Sequence, residues 1–343
     1  MSSDRDTGAL RLGVVGAGSW GTALANLLAG RHAPVDLWAF EPEVRAGIRD
    51  DRENPVFLPG VRLSENLRPS GDLDAVVADK DLVLIVVPSH VMREVAGRMT
   101  GALSPSAVVV SASKGIENRT HLTMSGVLRE TLSISEDRLA VLSGPSFARE
   151  VARGVPTAVT AASRNIDTAR IVQSAFATPT FRVYTNDDLI GVELGGSVKN
   201  VIAIAAGIID GLGLGLNTRA ALITRGLTEI RRLGVRMGAN PRTFTGLAGI
   251  GDLILTCTGD LSRNHTVGKR IGEGMTLREI LADMRMVAEG VKTAESVYTL
   301  SRSLGVEMPI TEEIYRILYE DASPREALHR LMTRHLKDEL DAD

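Results

Sequence analysis

Cysteine is nearly absent from this chain. Cys257 stands alone among 343 residues, so no intramolecular disulfide can form and a thiolate-rich metal site is excluded. Folding without disulfides suits a reducing compartment. Aromatic residues are scarce too, at 3%, which argues against base stacking as a main activity. Charge of one sign is lacking: the formal net charge of -3 offers no polyanion-binding face. No apolar run reaches the roughly 18–20 residues of a membrane span. The closest, residues 201–209, is too short. The opening "MSSDRDTGAL" is polar and acidic, without the apolar core of a secretion signal. The "KDEL" inside the tail "KDELDAD" is not terminal and carries no targeting meaning. These absences lead to the expectation of a cytoplasmic protein without a metal, neither bound to nucleic acid nor embedded in a membrane.

What is present is an ordinary globular composition, with 44% hydrophobic and 24% charged residues. The length allows one or two domains with sizeable cores. Short β-branched runs predict strands at 10–16, 35–38, 82–88, 107–113, 139–144 and 156–163, with an edge strand at 181–185. Helical patterns lie between most of them. Repeated strand–helix units imply an α/β fold with a doubly wound, mostly parallel sheet. From about residue 190 the period changes, and helices are expected at 190–210, 217–238, 263–273, 276–284, 291–304, 309–320 and 324–337. The predicted layout is a dinucleotide-binding domain over 1–190 and an all-helical domain over 191–343, with the cleft between them as the default site. The low-charge, glycine-rich surface near 211–216 fits either a homodimer contact or interdomain packing.

"GVVGAGSWGTALANLL" is the strongest local motif. Gly16, Gly18 and Gly21 follow the first strand and open a helix. Gly16 allows the tight turn, Gly18 lets backbone approach a pyrophosphate, and Gly21 lets helix and sheet pack closely. This is the Rossmann-type fingerprint in its proper context. The second strand should end near the ribose. There Phe40 is apolar, Glu41 is acidic and Arg45 lies one turn on. Glu41 either accepts bonds from ribose hydroxyls, which favours NAD over NADP, or sits at a helix N-terminus to meet the dipole.

Polar residues follow two other strands. "SASKGIEN" puts Lys114 and Gly115 beyond a strand's carboxyl end, where ligands of open α/β sheets bind. "LSGPSFARE" does the same with Gly144 and Ser146, the latter also a candidate helix cap.

The helical half contains the sharpest feature. Lys199 stands beside Asn200 in "ELGGSVKNVIAIAAGIIDG", otherwise almost wholly apolar or small. A helix apolar all round is buried, and Gly195, Gly196, Ala203 and Gly207 predict close backbone packing. A buried ammonium needs a partner and loses proton affinity, which poises it for proton exchange near neutral pH. The alternative is a lysine that snorkels to the surface. Asp252, after a turn expected to be flexible at Gly249 and Gly251, is the candidate partner. Ser262, Arg263 and Asn264 open a further helix and suit a phosphate, or form a plain capped terminus. His265 has no assignable partner and reads as solvated. Glu289 can reach a nicotinamide or ribose, or simply start a helix.

Taken together, the chain resembles the NAD(P)-dependent glycerol-3-phosphate dehydrogenases of the bacterial biosynthetic type. "GAGSWGTALA", "FLPG", "SKGI", "SGPSFA", "GVELGGSVKNVIAIAAGI", "NTRAALITRGL", "TFTGLAGIGDLILTCT", "SRN" and "EGVKTA" fall in family order across nearly the whole chain. The resemblance implies reversible hydride transfer between NADH or NADPH and dihydroxyacetone phosphate, giving sn-glycerol 3-phosphate for glycerophospholipid synthesis. It implies a proton-transferring Lys199 supported by Asp252 and Asn200. It implies substrate contacts at Lys114, Gly144, Ser146, Lys199, Asp252, Ser262, Arg263 and Asn264. Ser19, Trp20, Lys114, Ala148, Arg263, Val287 and Glu289 match cofactor-contacting positions. Phe40 departs from the family, where many members carry His or Arg, so the preference between NAD and NADP stays open. Other dehydrogenases of this domain plan, such as ketopantoate reductases, share the glycines and a helical-domain lysine. The "SRN" and "LAGIGDLILTCT" blocks count against them, and Lys199, Asp252 and Arg263 together count against a silent nucleotide sensor.

Overall fold

The structure is a computed structural model and describes residues 10–32, 34–284, 288–336 and 338–339. The chain divides into two compact units. One runs to Ser113 and resumes over Met124–Leu189; the other comprises Lys114–Thr123 and the chain from Ile190 onward.

The first unit holds the strands β1 (Leu12–Val15), β2 (Val35–Trp38), β3 (Leu67–Ser70), β4 (Leu82–Ile85), β5 (Val108–Ser111), β6 (Leu139–Ser143), β7 (Thr157–Ala162) and β8 (Phe181–Asn186). They form one sheet in the order β3-β2-β1-β4-β5-β6-β7-β8. Only the β6–β7 pair is antiparallel. The helices of this unit are α1 (Ser19–Ala29), α2 (Pro42–Ala46), α3 (Leu73–Val77), α4 (Met92–Met99), α5 (Met124–Leu132), α6 (Ala148–Ala152) and α7 (Ile166–Phe176). Strands β1, β4, β5 and β6 are buried at every position, which is why they read as unbroken apolar runs. Edge strand β8 alternates instead, with Phe181 and Val183 buried and Arg182 and Tyr184 exposed. Strand β3, "LRPS", is absent from the sequence expectation. It is short and polar and contains Pro69, which a sheet tolerates at an edge.

The second unit is helical: α8 (Leu189–Gly211), α9 (Leu216–Arg236), α10 (Asp252–Thr258), α11 (Arg263–Gly272), α12 (Leu277–Asp283), α13 (Glu289–Leu304), α14 (Pro309–Tyr319) and α15 (Pro324–Met332). By length and composition α8 would span a membrane, yet its whole apolar window is buried in the protein. It is the core helix, with Val198, Val201, Ile202 and Ile204 packed among Leu253, Val267, Val291 and Ile314.

Contact between α8 and α11 is backbone against backbone. A Cβ placed on Gly207 would lie 2.0 Å from the His265 carbonyl oxygen, and one on Gly211 would lie 2.2 Å from that of Lys269. From the other side, a Cβ on Gly268 would lie 1.9 Å from the Ile204 oxygen. This contact sets where Arg263, at the start of α11, stands relative to Lys199 on α8. A second buried device fixes α14. The Glu229 carboxylate accepts bonds from the Ile310 and Thr311 amides at 2.6 and 3.1 Å, satisfying donors that open the helix. Burial pushes the Glu229 carboxyl up to about 7 against those bonds.

Two expectations are corrected. The stretch through Gly249 and Gly251 is no flexible turn: Leu247–Gly251 forms a π-helical turn running directly into α10. Its glycine serves packing, because a Cβ on Gly249 would lie 2.1 Å from the Phe244 oxygen. Helix α15 stops at Met332, short of the expected 337, and the apolar side chains of Met332 and Leu336 face solvent.

Replacing Gly268 with Ala forces a methyl group into backbone atoms. We expect destabilisation of roughly 1–3 kcal/mol or more, the usual cost of overpacking, read from the denaturant midpoint. An unchanged midpoint would contradict this helix contact.

Candidate active site

Lys199 is buried, 5% exposed, and does not snorkel. Its ammonium donates to Asp252 Oδ1 and, at 2.5 Å, to Thr256 Oγ1. Thr256 spends its own proton on the Asp252 carbonyl at 2.7 Å, one turn back, so its oxygen faces the lysine as an acceptor. Asp252 Oδ2 takes a second cation, Lys114 Nζ, at 2.5 Å. One carboxylate thus holds two ammonium groups.

Three elements bring these groups together. Lys199 comes from the middle of α8, while Asp252 and Thr256 lie one turn apart on α10. Lys114 comes from the Lys114–Thr123 segment, which Ser197 ties down: its Oγ accepts from the Gly115 amide at 2.9 Å. Because Ser197 is two residues before Lys199, the same helix positions both lysines. Gly115 has φ +155°, a conformation that suits glycine at this junction.

The electrostatics follow from burial. Removal from water pulls the Lys199 pKa down to about 8, and the charge of Lys114 pulls the same way, while Asp252 opposes both. Neighbouring Cys257 is pushed up to about 12 by burial, so its thiol stays protonated and inert.

Next to this cluster, α8, α11 and α13 meet. Asn264, buried, accepts from the Gly290 amide with its Oδ1 at 2.9 Å. A Cβ on Gly290 would stand 2.7 Å from the carbonyl oxygen of buried Asn200. Ser262 caps α11, with its Oγ accepting from the His265 amide at 3.2 Å. One of the α11 amides expected to be open is thereby used. Arg263 is exposed to solvent but crowded by protein, which lowers its pKa, while Glu289 at the start of α13 raises it. His265 is corrected from solvated to buried: its Nε2 meets Asp210 Oδ2 at 2.8 Å, and Arg219 approaches the same oxygen at 3.3 Å.

The remaining described candidates lie in the first unit. Gly16 has φ +111°, and a Cβ there would sit 2.4 Å from the Val86 oxygen. A Cβ on Gly21 would sit 1.9 Å from the Gly16 oxygen, whereas one on Gly18 meets nothing within 4 Å. Helix α1 therefore begins beside open space, with no side-chain cap and no acidic residue in its first turn. This is a fitting cradle for a dinucleotide pyrophosphate. Ser19 donates its hydroxyl to the Phe57 carbonyl at 2.6 Å, and Trp20 packs on the sheet core. At the end of β2, Phe40 is 68% exposed and Glu41 precedes α2 without a side-chain cap bond. Arg45 is folded back onto the Ala39 and Phe40 carbonyls at 2.7 and 2.8 Å. Ser146 does not cap α6: its hydroxyl donates to the Gly144 oxygen at 3.0 Å, and Phe147 takes the N-cap position before Ala148. Val287 lies outside the described residues.

Sequence reasoning missed Thr256 and Asp210. Thr256 had a signal, since it stands four residues after Asp252 and so shares its helix face. Asp210 had none, because it lies 55 residues from His265.

The family models described as the N-terminus and the C-terminus of NAD-dependent glycerol-3-phosphate dehydrogenase match residues 11–169 and 188–329. A relative from Syntrophobacter fumaroxidans, named glycerol-3-phosphate dehydrogenase of the NAD(P)+ type, is 60% identical over 96% of this chain and 97% of its own. One of the same name from Citrifermentans bemidjiense is 59% identical over 96% of this chain and 98% of its own. A crystal structure of glycerol-3-phosphate dehydrogenase from Coxiella burnetii superposes with a TM-score of 0.91 at 42% identity, covering 95% of this chain and 99% of that one.

Changing Asp252 to Asn removes the charge that supports the Lys199 ammonium. The amine should then titrate below about 8, followed by NMR of the lysine side chain. An unchanged or higher value would contradict the pairing.

Proposed function

Because the chain belongs to the NAD-dependent glycerol-3-phosphate dehydrogenase family, we propose that it interconverts dihydroxyacetone phosphate and sn-glycerol 3-phosphate with NAD(H) or NADP(H). The single observation that carries this reading is the buried Lys199 ammonium, held by Asp252 and Thr256 and poised near neutral pH.

The first unit holds the dinucleotide through the turn of Gly16, Gly18 and Gly21 with Ser19 and Trp20. Phe40 and Glu41 serve the ribose end, and Ala148 lines the site. The family resemblance implies Lys114, Arg263 and Glu289 as further dinucleotide contacts. When bound, the reduced nicotinamide supplies a hydride to the C2 carbonyl carbon of the substrate.

Lys199 supplies the proton. Of its three N–H bonds, Asp252 and Thr256 take two, which leaves the third for the carbonyl oxygen. As negative charge develops there, Lys199 transfers a proton to it, and the neutral amine is reprotonated from solvent. Two ammonium groups against one carboxylate leave a net positive charge, which stabilises the forming alkoxide. Asp252 keeps Lys199 in place, and Asn200 supports the site through the junction at Gly290. Arg263 offers its planar fork to the substrate phosphate. Asn264, whose Oδ1 is engaged by Gly290, contributes its Nδ2 donors beside it. Ser262 holds that helix start in shape, and the family resemblance implies Gly144 and Ser146 as further substrate contacts. The product suits glycerophospholipid synthesis in the cytoplasm.

Loss of NADH or NADPH absorbance with dihydroxyacetone phosphate, but not with ketopantoate or other 2-oxo acids, tests the reaction and reads the cofactor preference. Changing Lys199 to Ala should lower kcat by about 10²–10⁴-fold, the usual contribution of a positioned proton donor, with cofactor affinity kept. Near-wild-type turnover would sink the assignment.

The pH profile has a definite sign. Reduction needs the ammonium, so its rate should hold below about 8 and fall above it. Oxidation needs the neutral amine and should rise through the same range. Parallel profiles in the two directions would exclude Lys199 as the titrating group.

A further inference from the structure

Asn54 is fully buried and has no part in the chemistry described so far. Its Nδ2 donates to the Ala17 carbonyl at 2.9 Å and to Thr22 Oγ1 at 2.8 Å, and its Oδ1 accepts from the Phe57 amide at 2.9 Å. Thr22 Oγ1 donates to that same Ala17 oxygen at 3.1 Å. The amide orientation is fixed by chemistry, because a carbonyl only accepts and a backbone N–H only donates. A buried amide is costly unless its bonds are made, and here they all converge on one turn and the loop beside it. That loop grips the turn a second time, through the bond from Ser19 to the Phe57 carbonyl.

Ala17 lies between Gly16 and Gly18. In a planar trans peptide the carbonyl of one residue and the N–H of the next point in opposite directions. Two buried donors hold the Ala17 carbonyl inward, so the Gly18 N–H must aim outward. Space beside Gly18 is open, since an added Cβ would meet nothing within 4 Å, and the start of α1 has no side-chain cap. We propose that Asn54 is a positioning residue for the cofactor: it presets the Ala17–Gly18 peptide so that its N–H meets the pyrophosphate without reorganisation. This rests on the reading that the glycine turn holds the dinucleotide.

An Asn54→Asp variant keeps the acceptor for Phe57 but sets an oxygen against the Ala17 carbonyl. Thr22→Val removes the second donor and, with it, one of the two acceptors of Asn54 Nδ2, while leaving Asn54 itself and its bond to the Ala17 carbonyl. Dissociation constants for NADH and NADPH come from titration of intrinsic tryptophan fluorescence, beside the thermal midpoint and steady-state kinetics at saturating cofactor. The expected result is a Kd raised at least tenfold in Asn54→Asp and a few-fold in Thr22→Val. In both, kcat at saturation and KM for dihydroxyacetone phosphate should stay within twofold of wild type. A folded Asn54→Asp protein with the wild-type Kd overturns the proposal, as does one whose kcat falls in step with its affinity. If Asn54→Asp does not fold, Thr22→Val decides by the same two readings. Failure of the wild-type protein to bind either dinucleotide would overturn the cofactor reading itself, and this proposal with it.

Discussion

The Asp252 carboxylate is the point on which the helical unit turns. Two ammonium groups that share a small volume repel each other, and one of them, Lys199, is shut away from water. Neither condition is tolerable without a counter-charge of good geometry. Asp252 gives one oxygen to each lysine, and Thr256 occupies a further donor of Lys199. The compensation is incomplete by one charge. That residue of positive charge, together with burial, leaves the Lys199 amine balanced near the pH at which a cell works.

A balance of this kind needs rigid supports, and glycines provide them. Backbone contact between α8 and α11 permits no side chain at Gly207 or Gly268. The close approach of Gly195 to the Ala248 carbonyl, 2.4 Å from where its Cβ would stand, does the same between α8 and the turn before α10. Lys199, Asp252 and Arg263 are thus held by main-chain contacts, which are stiffer than any between flexible side chains. Glycine has the opposite use in the first unit, where Gly18 leaves room beside a helix start.

Much of this could be read along the chain. The parallel sheet was legible because buried strands leave unbroken β-branched runs, and α8 was legible as a core helix because no face of it is polar. The burial of Lys199 followed from those neighbours. Other features were not legible. Strand β3 lacks an apolar pattern and exists because β2 offers it an edge. The Leu247–Gly251 turn resembles a flexible linker in sequence, since glycine selected for tight packing looks like glycine selected for freedom. The pairing of His265 with Asp210 and the docking of Asn54 on the glycine turn leave no local trace, as their partners are distant in sequence.

By itself the sequence determined the class of fold, the order of its elements, the glycine turn and the isolated lysine in an apolar helix. These are consequences of periodicity and of the cost of burying charge, both local to a stretch of chain. Only the tertiary structure decided which carboxylate meets that lysine, that Lys114 shares it, and that Thr256 completes the set. Such pairings depend on how α8, α10 and the Lys114–Thr123 segment pack, and packing distances of a few ångströms are set by contacts between residues far apart in the chain.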